Sequence, residues 1–428
     1  MIKFLFKNFL KKHFFGFIYG HEHFSKNKIL NIKKYLYKED NLVIQEYENK
    51  FASLIGRGKA VSFASARMAL FAYLKSIHIK KNDEVIVLGF TCAVVINSIL
   101  KAKAKPIFCD INKINFGNSF ESIKKKINTK TKLIIVQHTF GLPADINQIL
   151  KYANKFKIKV IEDCAISFGT KVNNTTLGDF AEASIFSTDH SKPINTILGG
   201  LIYSKDKNLI NKIREIQFNS AQISNIKKNK IYKRFLFEKF FFKPQTYGKS
   251  FIFEYFFNKI FDWSFNDDSS PYEHDKYEYP LKLPTFIAII GIYQLEYWIS
   301  NKEIIKNNFL RILHTLFNYL PDGTLPDVYF NDKYQISCNR LVFCLEKKDS
   351  FYYSIIEKLV DVRWIWFKKP IIDSKNSLSE FGYVQNSCPK SEEIGKKIIN
   401  IPIPYSQNYT DIFIKNLNDT FRSYKKKF

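Results

Sequence analysis

The chain has 428 residues, of which 46% are hydrophobic and 16% aromatic, enough to bury a large core in two lobes. A charged fraction of 25%, with abundant Phe and Tyr, excludes a disordered or low-complexity protein. The net charge of +26 is spread along the whole chain, with no zinc-finger spacing or RNA-binding aromatic signature, so no nucleic-acid partner is expected.

The first residues, MIKFLFKNFLKKHFFGFIYG, carry lysines inside their apolar part and no small-residue cleavage site, so they do not read as a secretory signal. Lys3, Lys7 and Lys11 share one helical face. That pattern suits an interfacial helix on an anionic bilayer, or a helix packed on the protein's own surface. No run of about 18 apolar residues occurs, so no spanning helix is expected. The six cysteines form no CxxC pair and read as reduced thiols of a cytoplasmic protein, with peripheral contact at the inner membrane face left open.

From about residue 45 to 205, strand-like runs alternate with helical ones. DEVIVLGF, KAKPIFCDI, TKLIIVQHTFG, IKVIEDCA and ASIFSTD predict strands, and residues 66–77, 94–103, 120–128 and 146–156 predict helices. This is the pattern of an α/β domain with a mostly parallel central sheet covered on both faces. Ligands of such sheets bind beyond the carboxyl ends of the strands. Residues from about 222 to 275 are basic and aromatic without that alternation. They read as an insertion forming a helical subdomain, a dimer contact or a second membrane-facing surface. A linker helix is predicted over 285–317, and RLVFCLE and TDIFIKNLNDTF predict a smaller C-terminal α/β lobe. The expected division is an N-terminal extension (1–30), a large domain (31–305) and a small domain (306–428).

Four segments carry chemistry. In VSFASARMALFAYLK the chain turns into a helix near Ala66. Ser65 reads as a helix cap or, with Arg67 and the free N–H groups of the helix start, as a phosphate site. In VQHTFGLPADI, His138 ends a strand and is either structural or faces a ligand. In VIEDCAISFG, Asp163 closes a buried strand, where a carboxylate is costly unless paired; it either caps a helix or meets a cation such as a protonated pyridine nitrogen. In FSTDHSKPINTILGG, a strand leads into a loop with Ser187, Asp189, His190, Ser191 and Lys192, followed by Gly199 and Gly200. Ser187 and Ser191 are hydroxyl donors suited to a phosphate, and desolvation would make Lys192 nucleophilic.

The ordered set, together with EYENKFASLIGRGKAVSFAS, KKNDEVIVLGFTCAVVINSILKAKAKPIFCDI, PLKLPTFIAIIGIYQLEYW and INIPIPYSQNYTDIFI, resembles the DegT–StrS family of sugar aminotransferases. The likeness runs from about Tyr47 to the C-terminus, apart from the insertion. It implies an aspartate-aminotransferase-like fold whose large domain binds pyridoxal 5'-phosphate (PLP). Lys192 would hold the cofactor as a Schiff base and move the proton. Asp163 would pair with the ring nitrogen. Ser65, Ala66, Arg67 and Ser187 would hold the phosphate. Cys92 takes the place of an aromatic residue that stacks on the ring in many members, and His138 would face the cofactor. Ile166 stands where Gln is usual, Lys282 where Arg is usual, and Pro280 where Asn is usual.

The resemblance further implies a homodimer that moves an amino group from a donor, expected to be glutamate, to a nucleotide-linked keto sugar for surface polysaccharide or glycoconjugate synthesis. The departures keep a second expectation open, a PLP-binding or regulatory protein of the same fold that does not transaminate.

Overall fold

Strands that are apolar along their whole length place hydrophobic side chains on both faces of a sheet and require a covering layer on each. In this computed structural model, which describes residues 13–18, 20–250, 253–254, 279–346, 351–372, 374 and 377–425, that requirement organises the molecule. The strands of the central sheet are β1 (Lys59–Phe63), β2 (Glu84–Leu88), β3 (Lys105–Cys109), β4 (Thr131–Gln137), β5 (Lys159–Asp163), β6 (Ala183–Ser187) and β7 (Gly200–Ser204). They lie in the order β1-β7-β6-β5-β4-β2-β3. All neighbours are parallel except β7, which runs antiparallel to both β1 and β6. The five strands expected from the sequence are all present; β1 and β7 are additional.

The helices between them are α1 (Lys26–Lys34), α2 (Asn41–Ile55), α3 (Ala66–Ser76), α4 (Ala93–Lys101), α5 (Phe120–Lys126), α6 (Ile146–Lys155) and α7 (Lys207–Phe218). The pleat sorts residues to two cores. Val85, Val87, Leu133, Ile135 and Ile161 face one; Ile86, Leu88, Ile134, Val136 and Val160 face the other. The second core continues into the C-terminal lobe, through Leu341, Val342 and Phe343 of β8 (Arg340–Cys344). β8 pairs antiparallel with β9 (Ile398–Pro402).

α8 (Asn225–Phe241) occupies the first part of the expected insertion; residues 255–275 of that insertion lie outside the described residues. The aromatic side chains of α8 largely turn inward. Ile231, Tyr232, Phe235 and Phe237 are buried, and Phe237 joins Phe14, Ile18, Phe242 and Tyr247 in a third apolar cluster. The N-terminal segment contributes to two clusters by alternation, since Phe15 and Phe17 enter the core of the C-terminal lobe. Phe15 also bridges to Val360. Phe14, Phe15, Phe17 and Phe24 are thus core residues. The lysine face of Lys3, Lys7 and Lys11 lies outside the described residues. Among the described residues, no helix is long and apolar enough to cross a membrane.

The linker helix α9 (Thr285–Phe317) has the expected limits. Its first half (Phe286, Ile290, Leu295) packs in the first core and its second half (Phe309, Ile312, Leu316) in the second, so one rigid rod joins both. The expected division at 305/306 falls within it.

Gly199 and Gly200 bring β7 against the start of α3. Gly199 has φ +136°, and a Cβ on Gly200 would lie 2.1 Å from the Ala66 nitrogen. The substitution Gly200→Ala therefore forces strand and helix apart. The expected cost is about 1–3 kcal/mol, read as a lower urea midpoint at unchanged slope.

Candidate functional site

Four adjacent strands, β6, β5, β4 and β2, end on one side of the sheet, and the loops beyond them carry the chemistry. Asp163 is the last residue of β5 and is buried. Its Oδ1 accepts the Ala165 N–H at 3.0 Å. Burial raises its pKa, against the Ala165 N–H and the charges of Lys192 and His138. An acceptor-only group in such a place is best satisfied by a protonated donor.

Lys192 lies in the loop between β6 and β7. Thr188 and Gly199 close that loop through a backbone bond of 2.9 Å, and the Lys192 N–H donates to Asp189 O at 3.0 Å. The Lys192 Nζ sits 4.3 Å from the centre of the Trp366 ring. Burial lowers its pKa, and Arg340 acts in the same sense, while Asp189, Cys92 and Asp163 oppose it. The amine is thereby moved toward its nucleophilic free form. The same set of influences gathers Cys92, Asp163 and Lys192 into one site. Cys92 is half-buried at the start of α4, where Thr91–Cys92 pairs in parallel with Ile371–Ile372 of the C-terminal lobe.

Ser65 caps α3 with extended backbone (φ −160°, ψ 161°), yet its side chain makes no cap hydrogen bond. Its Oγ is buried without a protein partner. The first bond inside the helix runs from Ala69 N to Ser65 O, so the N–H groups of Ala66, Arg67 and Met68 have no acceptor within the helix. The Arg67 side chain is buried beside them. An orphaned hydroxyl, a helix start and a buried guanidinium together fit a phosphate. Ser187 ends β6, with its Oγ 3.4 Å from the Asp189 nitrogen.

PLP asks for these three things: an amine for its aldehyde, a carboxylate for its ring nitrogen, and an anion cradle for its phosphate. The residues present fit it.

His138 is held differently from the other expected residues. Its Nδ1 accepts the Ala144 N–H at 3.1 Å, which puts the ring proton on Nε2, 3.0 Å from Glu162 Oε2. Glu162 alternates with Asp163 along β5, so the hydrogen bonds of His138 run toward the other face of the sheet. Only its ring face is left for a bound group. His138, Glu162 and Cys164 lie close enough to surround a metal ion. However, Glu162 already accepts the N–H groups of Gly178, Phe180 and Ala181, which makes the cluster a saturated brace. Among the departures, Ile166 is a core residue and Lys282 lies with its Nζ 5.3 Å from the Phe218 ring centre.

Two further residues of the site were not foreseen. Arg340, 1% exposed, is sandwiched between Trp366 (Cζ to ring centre 3.4 Å) and Phe17 (4.1 Å). Its Nη1 donates to Trp364 O at 2.8 Å and Asn400 Oδ1 at 3.1 Å. The only sequence signal was a charged residue opening the apolar strand RLVFC. The long-range stacking that keeps it beside Lys192 has no local signature.

With this geometry in hand, comparison with known proteins is specific. Residues 31–237 match the model of the DegT/DnrJ/EryC1/StrS aminotransferase family. GDP-perosamine synthase of Escherichia coli O157:H7 is 28% identical over 383 residues, covering 88% of this chain and 90% of that one. An aminotransferase from Psychrobacter cryohalolentis superposes with a TM-score of 0.70 at 17% identity, covering 94% of this chain and 98% of the other. A Streptococcus pneumoniae protein described as a sugar aminotransferase, in its PLP form, gives 0.66 at 18% identity, covering 94% and 97%. The two structural likenesses speak for the fold.

Because the Lys192 amine has a lowered pKa, acylation of the cofactor-free protein should show a pH midpoint for Lys192 below that of fully exposed lysines. Peptide mass spectrometry across a pH series measures both. Coincident midpoints would remove the argument for an activated amine.

Proposed function

We propose that the chain, whose residues 31–237 match the DegT/DnrJ/EryC1/StrS aminotransferase family model, is a PLP-dependent enzyme transferring an amino group from glutamate to a keto sugar linked to a nucleoside diphosphate. The observation that carries the reading is the desolvated Lys192 amine beside the buried carboxylate of Asp163. The likeness to GDP-perosamine synthase supports a nucleotide-linked sugar as acceptor and the formation of an amino sugar as the outcome. The six free cysteines suit a reducing compartment, and we assign the reaction to the cytoplasm, in the service of surface polysaccharide or glycoconjugate synthesis.

When bound, PLP supplies the electron sink that stabilises negative charge at the carbon from which the amino group leaves. The protein supplies the rest. Lys192 anchors the cofactor and, once released, accepts and returns a proton at Nζ. Its lowered pKa suits both tasks, because a fully protonated amine does neither. Asp163, ionised opposite a cation, keeps the ring nitrogen protonated. Ser65, the first N–H groups of α3 and Arg67 hold the phosphate and so fix the reacting end relative to Lys192. Trp366 covers one side of the amine, and Arg340 keeps a second positive charge near it, which helps release its proton.

A cavity of about 350 Å³ opens beside Lys192, between residues of the N-terminal segment (Phe15, His23), the end of α8 (Phe242, Lys243) and the C-terminal motif (Tyr405, Tyr409). Its aromatic and hydroxyl lining suits a sugar ring, and we assign the acceptor there.

The decisive test uses the PLP-loaded protein. Wild type should trap the cofactor on the Lys192 peptide after borohydride, and glutamate should bleach the visible cofactor band and yield 2-oxoglutarate. Lys192→Ala should do neither. Trapping at another lysine, or no reaction with glutamate or any other common amino donor, would overturn the reading. We also propose a homodimer; sedimentation equilibrium should give twice the chain mass, and a monomer at micromolar concentration would remove that part.

A further inference from the structure

The segment that reads in the sequence as an insertion holds a carboxylate with no solvent contact. Glu238, on the last turn of α8, is fully buried. A lone carboxylate in that environment would be expelled or neutralised. Glu238 is instead surrounded. Arg234 Nε donates to its Oε1 at 2.8 Å, and His190 Nδ1 lies 3.0 Å from the same oxygen. Asn195 Nδ2 donates to Oε2 at 3.2 Å, and His21 Nε2 stands 3.6 Å away. Burial alone would raise its pKa, but Arg234, the hydrogen bond from His190 and the nearby His21 carry it well below the usual carboxylate range. Arg234 is itself held by Glu254, and His21 by Gln294 of α9 at 2.9 Å.

Two of these partners flank Lys192. His190 precedes it by two residues and Asn195 follows it by three. Glu238 therefore grips the loop on both sides of the amine-bearing residue, one oxygen to each side. At the apex, the Ser191 N–H and Oγ donate to Asp189 Oδ1 at 3.1 and 3.0 Å, and two side chains from the C-terminal lobe reach backbone carbonyls. Asn339 Nδ2 donates to Ser191 O at 2.9 Å, and Tyr405 Oη donates to Pro193 O at 2.9 Å. Within the loop, Asn195 Oδ1 accepts the Ile197 N–H at 2.8 Å, so Asn195 transmits the grip to the return strand.

We propose that Glu238 is a positioning residue for Lys192, acting through His190 and Asn195 to hold the amine in the orientation the cofactor requires. The proposal rests on the reading of Lys192 as the cofactor anchor. Its physical basis is that the loop has no regular ladder at its apex. Asp189 holds Ser191 and Lys192 from within the loop, side chains from elsewhere hold the rest, and among the described residues Glu238 is the buried carboxylate that joins its two flanks. A site residue left 1 Å loose loses most of its advantage. The aromatic residues of α8 then have a role beyond filling space, since they exclude water from the carboxylate and keep its bonds strong.

The test compares PLP-loaded wild type with Glu238→Gln, Asn195→Asp and Glu48→Gln. Glu48 is a control, an equally buried carboxylate that binds Ser62 and Arg214 away from the loop. Three quantities are read: the pH midpoint of the visible cofactor band, the rate of cofactor loss on dilution, and the thermal midpoint. Glu238→Gln should still trap PLP on Lys192, but lose it about tenfold faster and shift the band midpoint by about half a pH unit or more. Asn195→Asp keeps the acceptor for Ile197 but sets a like charge against Glu238; it should move both cofactor readouts the same way, and it carries the test where Glu238→Gln does not fold. Glu48→Gln should lower the thermal midpoint and leave the band midpoint alone. Unchanged band and retention in both loop-grip variants, or an equal shift in Glu48→Gln, would overturn the proposal while leaving Lys192 as anchor. Absence of trapping at Lys192 in wild type would instead overturn the anchor reading, and this proposal with it.

Discussion

A partly buried amine must be held without being locked in a tight ion pair, because a tight pair would restore its proton. The Lys192 loop meets that constraint by distributing its contacts. The amine packs on the face of Trp366, with Arg340 on the same ring and Asp189, Cys92 and Asp163 within electrostatic range. The strong ionic contacts are displaced from the amine to the flanks of the loop, where Glu238 takes His190 and Asn195. On the proposed reading, position is controlled by one set of groups and reactivity by another.

This arrangement explains why the C-terminal lobe and the N-terminal segment are needed at all. The sheet alone supplies Asp163 and the start of α3. The ring under Lys192, the guanidinium beside it and two of the loop clamps (Asn339 and Tyr405) come from the lobe beyond α9. Phe17 closes the other face of Arg340, and His21 adds to the Glu238 cluster. α9 enters both cores and so sets the distance between the sheet and the lobe. A buried Arg stacked between two aromatic rings, with carbonyl acceptors, is a rigid element that ties these parts at the point nearest the chemistry.

Much of this was legible in the order of residues. Strands with apolar residues on both faces could only be covered strands, and the polar residues closing them had to lie at the ligand edge of a parallel sheet. Asp163 and the Ser65–Arg67 turn stand out for that reason, each at a strand or helix end where a local pattern changes, whereas Lys192, in a loop beyond a strand, stands out through the family resemblance. β1 and β7 were missed because VSF and GLIY are short runs without alternation, and their antiparallel pairing joins segments more than a hundred residues apart. His138 occupies the strand end foreseen for it, but the direction of its ring depended on Glu162, and nothing local to either residue announces that bond.

The sequence by itself determined the α/β class and the linker helix, because periodicity is a local property of the chain, and through the family resemblance it pointed to Asp163 and Lys192 as candidates. Only the tertiary structure decided how Lys192 is held. Glu238 sits among lysines and phenylalanines in a stretch that reads as a basic, aromatic surface, and its meaning lies entirely in partners 43 and 48 residues away. Arg340 and Trp366 are likewise unremarkable until the lobe folds back over the loop. A buried charge is defined by what surrounds it. Those surroundings are assembled by burial of the aromatic residues of α8 and the N-terminal segment, which is a consequence of packing between distant parts of the chain.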